Sequence, residues 1–224
     1  MSDHADRGPP LLFYFHSLRM PAKNQDLHGN VPDTAEVALI IIDAINDLEF
    51  SGGDRILPAA LEMAKNIRAL KQEAKQHKVP TIYVNDNFGR WQSDLNRLIE
   101  HCIEDDTRGK DVVELILPDD DDYFVLKPKH SGFFSTTLDI LLEYLKVRTL
   151  ILTGLQTNIC VLFTANEAYM RDFYLVAPSD CSASETKEDH DYALEQMRKI
   201  LKADTRPWRE LDLHALVNNP EQEG

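Results

Sequence analysis

The chain has 224 residues, 43% of them hydrophobic, and a formal net charge of −14 from 38 acidic and 24 basic side chains. That length and composition suit one domain-sized core that needs neither disulfides nor metal to fold. The acidity argues against nucleic acid, whose phosphates require clustered Lys and Arg, and against an anionic membrane surface. No apolar run approaches the roughly 18–20 residues of a membrane span. The opening Met1 to Arg7 lacks the basic-then-apolar order of a signal peptide. Cys102, Cys160 and Cys181 are too scattered for a disulfide framework, so a reducing, cytoplasmic setting is expected.

Taken in chain order, residues 1–34 carry four prolines and three histidines without a helical period and read as an irregular arm. Val37 to Ile42 is a continuous β-branched run, the pattern of a strand covered on both faces. Apolar residues three or four apart then predict a helix over 57–76. Val79 to Val84 reads as a second strand, 93–103 as a short helix and Tyr123 to Leu126 as a third strand. Thr136 with Asp139 suggests a capping box opening the next helix, lined by Leu138, Leu141, Leu142 and Leu145. Thr149 to Leu152 is a fourth strand, followed by a helix over roughly 158–171 and a fifth strand from Tyr174 to Ala177. Thr186 and Asp189 cap a last helix with Ala193, Leu194, Met197, Ile200 and Leu201 on one face.

Alternating buried-type strands and helices predict an α/β domain over 35–204, a three-layer α/β/α arrangement around a central, mostly parallel sheet of about five to six strands. Residues 205–224 form a C-terminal extension with a polar tail. In such sheets ligands bind beyond the carboxyl ends of the strands. Three reactive residue types fall there. Asp43 ends the first strand, Lys127 ends the third, and Cys160 lies in the first turn of the helix after the fourth. A helix N-terminus and a neighbouring ammonium favour a thiolate, and a carboxylate nearby accepts the thiol proton. Each residue alone reads more simply as a turn residue, a solvated strand end or a small buried side chain; the set of three is what points to chemistry.

The segments around these residues also carry a family resemblance. Ile42-Asp43-Ala44-Ile45-Asn46-Asp47-Leu48, Lys127-Pro128-Lys129-His130-Ser131-Gly132-Phe133-Phe134, Gly154-Leu155-Gln156-Thr157-Asn158-Ile159-Cys160-Val161 and Ser179-Asp180 follow in order with matching spacing. Together they resemble the motifs of isochorismatase-like cysteine hydrolases, the superfamily of nicotinamidases, N-carbamoylsarcosine amidases and isochorismatases. The resemblance implies a catalytic triad of Asp43, Lys127 and Cys160. It also implies a cis peptide at Leu155–Gln156 and an oxyanion hole from the backbone N–H groups of Gln156 and Cys160. A small-molecule substrate with an amide or ureido C–N bond is then expected, cleaved through a thioester at Cys160. Hydrolysis of an isochorismate-type vinyl ether, or a catalytically silent oligomeric scaffold, are the alternatives. A homo-oligomer is expected.

Two departures from the family pattern matter. Ile45 stands where Gln is common. After the second strand, Asp86 is followed by Phe88 where a metal-binding nicotinamidase has His, and one carboxylate without imidazoles is a poor transition-metal site. No metal and no cofactor are therefore expected. Phe88, Arg90 and Trp91 are candidate substrate-binding residues, a planar clamp with one cation, or else part of a subunit contact. His130 is a further candidate, set against the commoner surface-turn role. Cys102 and Cys181 read as core, and Asp119 to Asp122 as a solvated turn.

Overall fold

A computed structural model describes residues 34–86 and 95–218. Its strands are β1 (Val37–Ile42), β2 (Thr81–Asp86), β3 (Tyr123–Lys127), β4 (Thr149–Leu155), β5 (Tyr174–Val176) and β6 (Ser182–Ala183). The main path of the sheet runs β3-β2-β1-β4-β5, with β6 pairing β4 beyond β5's register, and the pairings are parallel. The expectation of a mostly parallel sheet of five to six strands holds. Every residue of β1 is buried, which is why its sequence shows no alternation.

Helices cover both faces. Val37, Leu39 and Ile41 pack with Ile56, Ala60, Met63, Ala64, Ile67 and Leu70 of α1 (Gly53–Gln76). Cys102 of α2 (Leu95–Glu104) and Val112 and Val113 of α3 (Lys110–Leu115) complete that layer. On the other face Val84, Leu138 of α4 (Leu138–Leu145) and Thr164 of α5 (Leu162–Tyr169) converge on Gly132. Burying each Ile or Leu of β1 contributes roughly 1.5–3 kcal/mol, so the central strand fixes the sheet before any polar contact is counted. α6 (Lys187–Lys199) and α7 (Leu213–Asn218) follow. Trp208, Leu213 and Leu216 pack against the α1 side of the core.

Several boundaries differ from the sequence reading, each for a local reason. The second strand starts later and runs further, because Val79 N–H still donates to Ala74 O at the helix end, with Lys78 left-handed between them. It takes in Asn85 and Asp86, polar residues that conceal a strand from any apolar pattern. The capping box at Thr136 does not form: its hydroxyl donates to Gly132 O and accepts from Leu138 N–H, while Asp139 pairs with Arg171. The cap at Thr186 does form, its Oγ1 accepting from Asp189 N–H at 3.1 Å. The helix expected over 158–171 splits into a π-helical turn, Thr157–Val161, and α5. Among the described residues no helix is long and apolar enough to cross a membrane.

Candidate active site

The chain builds β1, β2 and β3 outward on one side, then returns to place β4 on the other side of β1. Ligand crevices in open parallel sheets form at such a reversal. Asp43 follows β1 and the Cys160 turn follows β4, so both stand at this point. The two backbones are held very close: a Cβ on Gly154, whose φ is +112°, would lie 2.0 Å from Ile42 O. Only glycine fits there. Asp43 itself adopts a left-handed φ of 48°, a conformation that costs an L-residue energy and that Asp tolerates better than most. Its N–H donates to Val84 O, and its Oδ1 accepts from Asp86 N–H at 2.7 Å. The strained residue is thus pinned on both sides.

Lys127 reaches this carboxylate from two strands away. Register pairs it with Asp86 at the end of β2, so the two side chains share a face. Lys127 Nζ lies 2.7 Å from Asp43 Oδ2, 3.6 Å from Asp86 Oδ2 and 3.7 Å from Cys160 Sγ, and donates to Lys129 O at 3.1 Å. The structure therefore brings Asp43, Lys127 and Cys160 together. The reading of Lys127 as a solvated strand end is overturned: its side chain is 0% exposed. A buried ammonium is tolerated only because carboxylates surround it.

The charges shift accordingly. Burial pushes the Asp43 pKa up, against the pull of Lys127, of the Cys160 thiol and of the Asp86 N–H. Burial works against the Lys127 ammonium, but Asp43 and the Cys160 sulfur outweigh it and hold that pKa above its ordinary value. The Cys160 thiol is pushed up to about 12, by burial first and then by the Asp43 carboxylate, with Lys127 opposing. This corrects the expectation of a thiol titrating below its free value. The helix-end effect does not dominate because Cys160 sits inside a half-buried π-helical turn with a carboxylate beside it. Both shifts favour a protonated sulfur beside a carboxylate of raised basicity. Lys127 lies against both groups.

The turn itself is tied down. Gln156 O accepts from Ile159 N–H and Val161 N–H, and Thr164 Oγ1 donates to Cys160 O at 2.7 Å while accepting from Gly132 N–H. Thr164 thereby joins the turn to the loop after Lys127. Its place four residues past Cys160 is the usual spacing of a Thr hydroxyl bonding back along a helix, the one signal in the sequence that pointed to it. The Leu155–Gln156 peptide is cis. Gln156 borders the turn, Cys160 lies within it, and both are half-buried.

The remaining candidates separate. His130 is exposed, its ring 5.5 Å from that of Phe163. Phe88, Arg90 and Trp91 lie outside the described residues. Asp180 belongs to the frame: its carboxylate accepts from Trp208 N–H and its carbonyl from Asn66 Nδ2. Cys102 and Cys181 are buried, as expected of core residues. The acidic run is less solvated than its sequence suggests, because Asp122 pairs with Lys71 at 2.5 Å with both side chains nearly covered.

Residues 37–205 match the model of the isochorismatase domain. An uncharacterised isochorismatase family protein of Bacillus subtilis, YaaI, is 44% identical over 170 residues, covering 76% of this chain and 93% of that protein. A probable inactive nicotinamidase of Arabidopsis thaliana is 27% identical over 173 residues, covering 73% and 88%. The crystal structure of N-carbamoylsarcosine amidase from Thermoplasma acidophilum has the same fold. It superposes with a TM-score of 0.61 at 24% identity, covering 79% of this chain and 99% of that one.

Proposed function

The chain belongs to the isochorismatase family, and from that premise we propose that it is a cysteine hydrolase cleaving a C–N bond of a small amide or ureido substrate through a thioester at Cys160. The observation that carries the reading is the convergence of Asp43, Lys127 and Cys160 at the sheet's reversal point, with Lys127 Nζ 2.7 Å from Asp43 and 3.7 Å from Cys160.

The steps follow from the charges. Asp43, made more basic by burial, takes the thiol proton as sulfur attacks the substrate carbonyl. Lys127 holds the developing negative charge and keeps the sulfur and carboxylate from repelling each other. The backbone N–H groups of Gln156 and Cys160 receive the oxyanion. Protonated Asp43 then gives its proton to the leaving nitrogen, releasing ammonia or an amine and leaving the acyl group on sulfur. Water enters, Asp43 takes its proton, and the hydroxide equivalent attacks the thioester; the tetrahedral intermediate collapses to acid and thiolate, which recovers the proton from Asp43. Phe88, Arg90, Trp91 and His130 are proposed to contact the substrate, and a homo-oligomer to be the working form.

The test is a panel of small amides, ureides and isochorismate assayed for ammonia or product release, with Cys160→Ser alongside. Ammonia release by the parent chain and its loss in Cys160→Ser support the reading. Turnover of isochorismate alone, undiminished in Cys160→Ser, replaces it with vinyl ether hydrolysis. No turnover of any substrate moves it to the silent scaffold.

A further inference from the structure

His190 takes no part in the steps above, yet it touches two of the segments that the sequence singled out. It sits in α6, half-buried, with Nδ1 2.8 Å from Thr157 Oγ1 and Nε2 3.0 Å from Ser179 O. Thr157 is buried and opens the π-helical turn that carries Cys160; Ser179 lies in the small segment after β5. The partners fix the proton. A carbonyl only accepts, so Nε2 carries the hydrogen, and a neutral ring then offers a lone pair at Nδ1. Burial keeps this imidazole neutral, its pKa below the ordinary histidine value. The Thr157 hydroxyl therefore donates to His190, which orients the Thr157 side chain at the root of the turn. A second link runs parallel: Ser184 Oγ donates to Asn158 Oδ1 at 2.8 Å and faces Asn158 N–H at 3.3 Å.

We infer that His190 is a positioning residue for the nucleophile, holding the Cys160 turn against α6 through the Thr157 hydroxyl. The inference rests on the reading of Cys160 as the nucleophile. Sulfur must lie within reach of both Asp43 and Lys127, and a misplacement of about 1 Å is enough to cost a large part of the rate. The turn's backbone bonds stay within itself and the start of α5, and Thr164 ties its far end to Gly132, so the side-chain links of Thr157 to α6 and of Asn158 to Ser184, just past β6, hold its near end.

Conservative variants separate positioning from packing. In His190→Asn the side-chain oxygen falls where Nδ1 was and still accepts from Thr157. In His190→Gln the polar atoms lie further out, near Nε2, and Thr157 loses its acceptor. Thr157→Val removes the donor, and Thr157→Ser keeps it. The measurement is the rate of iodoacetamide labelling at Cys160, followed on the Cys160 peptide by mass spectrometry, with thermal melts of each variant. His190→Gln and Thr157→Val are each expected to slow Cys160 labelling about tenfold, the effect of one lost neutral hydrogen bond. The double variant is expected to be no slower than either, and His190→Asn and Thr157→Ser to stay within about twofold of the parent chain. Equal losses in the Asn and Gln variants, multiplied losses in the double variant, or labelling that merely follows Tm overturns the inference. Turnover by Cys160→Ser tests the nucleophile reading separately, so either can fail while the other stands.

Discussion

β3 has a lysine–aspartate cluster at each end, and the two have different chemical prospects. At its carboxyl end Lys127 stands between Asp43 at 2.7 Å and Asp86 at 3.6 Å. At its amino end Lys71 of α1 stands between Asp122 at 2.5 Å and Asp119 at 3.3 Å, donates to Leu117 O and lies 5.3 Å from the Tyr83 ring. Both ammonium groups are nearly or fully covered, and both face two carboxylates. Only one end adds a thiol and a carboxylate on a strained backbone. At the other end Asp119 and Asp121 are exposed and bound by Lys75, and the lysine serves to anchor a turn. A buried ion pair by itself is a structural device; placement at the reversal of strand order, with a nucleophile in reach, is what makes one a site.

The largest expected effect that sharpens this contrast is on turnover. Asp43→Asn keeps the shape and removes the proton acceptor, so turnover should fall roughly 10²–10⁴-fold, measured on the best amide or ureide of the panel. Asp122→Asn should leave turnover within a factor of about two, because no reacting atom lies near it. Near-equal effects of the two would erase the distinction.

Next comes stability. Lys127→Met strands the covered Asp43 carboxylate and should cost about 3–5 kcal/mol in urea unfolding. Lys71→Met leaves Asp122 with water nearer at hand through half-exposed Asp119 and should cost about 1.5–3 kcal/mol. Lys127→Met combined with Asp43→Asn should recover part of the loss, since both charges are then gone. A Lys127→Met variant as stable as the parent would mean that the pair is more hydrated than its 0% and 8% exposures allow.

A smaller effect concerns pH. The folded Cys160 thiol is pushed up to about 12 from an ordinary 9.0. Between those values the folded chain keeps a proton that the unfolded chain has lost, so stability falls as pH rises through that window. Cys160→Ser should flatten the fall, read as Tm against pH; an unchanged slope would assign it to Cys102 and Cys181, whose thiols burial also raises. The smallest effect is none: dialysis against a chelator should leave turnover unchanged, as expected of a site whose Asp86 is followed by Phe88 in place of a second ligand.

Much of the site could be read from the sequence because motif order marks it. Asp43 and Cys160 follow strands that composition reveals and Lys127 ends another, and a parallel sheet brings such positions to one edge. The burial of Lys127 could not be read, because it depends on β2 and β1 lying beside β3, so that its side chain reaches Asp86 and Asp43. The thiol's raised pKa could not either: a helix end predicts a shift downward, and only the distances show the carboxylate and the desolvation prevailing. His190 reaches Thr157, and Thr164 reaches Gly132, across segments far apart in the chain, which periodicity does not register. Strand β2 lost its last two residues to polarity, since Asn85 and Asp86 look like a loop until the ladder pairs them with Leu126 and Lys127.

The close approach of Gly154 to Ile42 has a counterpart in how this molecule tolerates change. In a saturation library, position 154 should accept no other residue, because the first added carbon already overlaps a carbonyl of the neighbouring strand. Phe134 and Phe163, each about half exposed, should accept many. Inheritance is strictest where two backbones touch and loosest where a side chain meets only water on one flank.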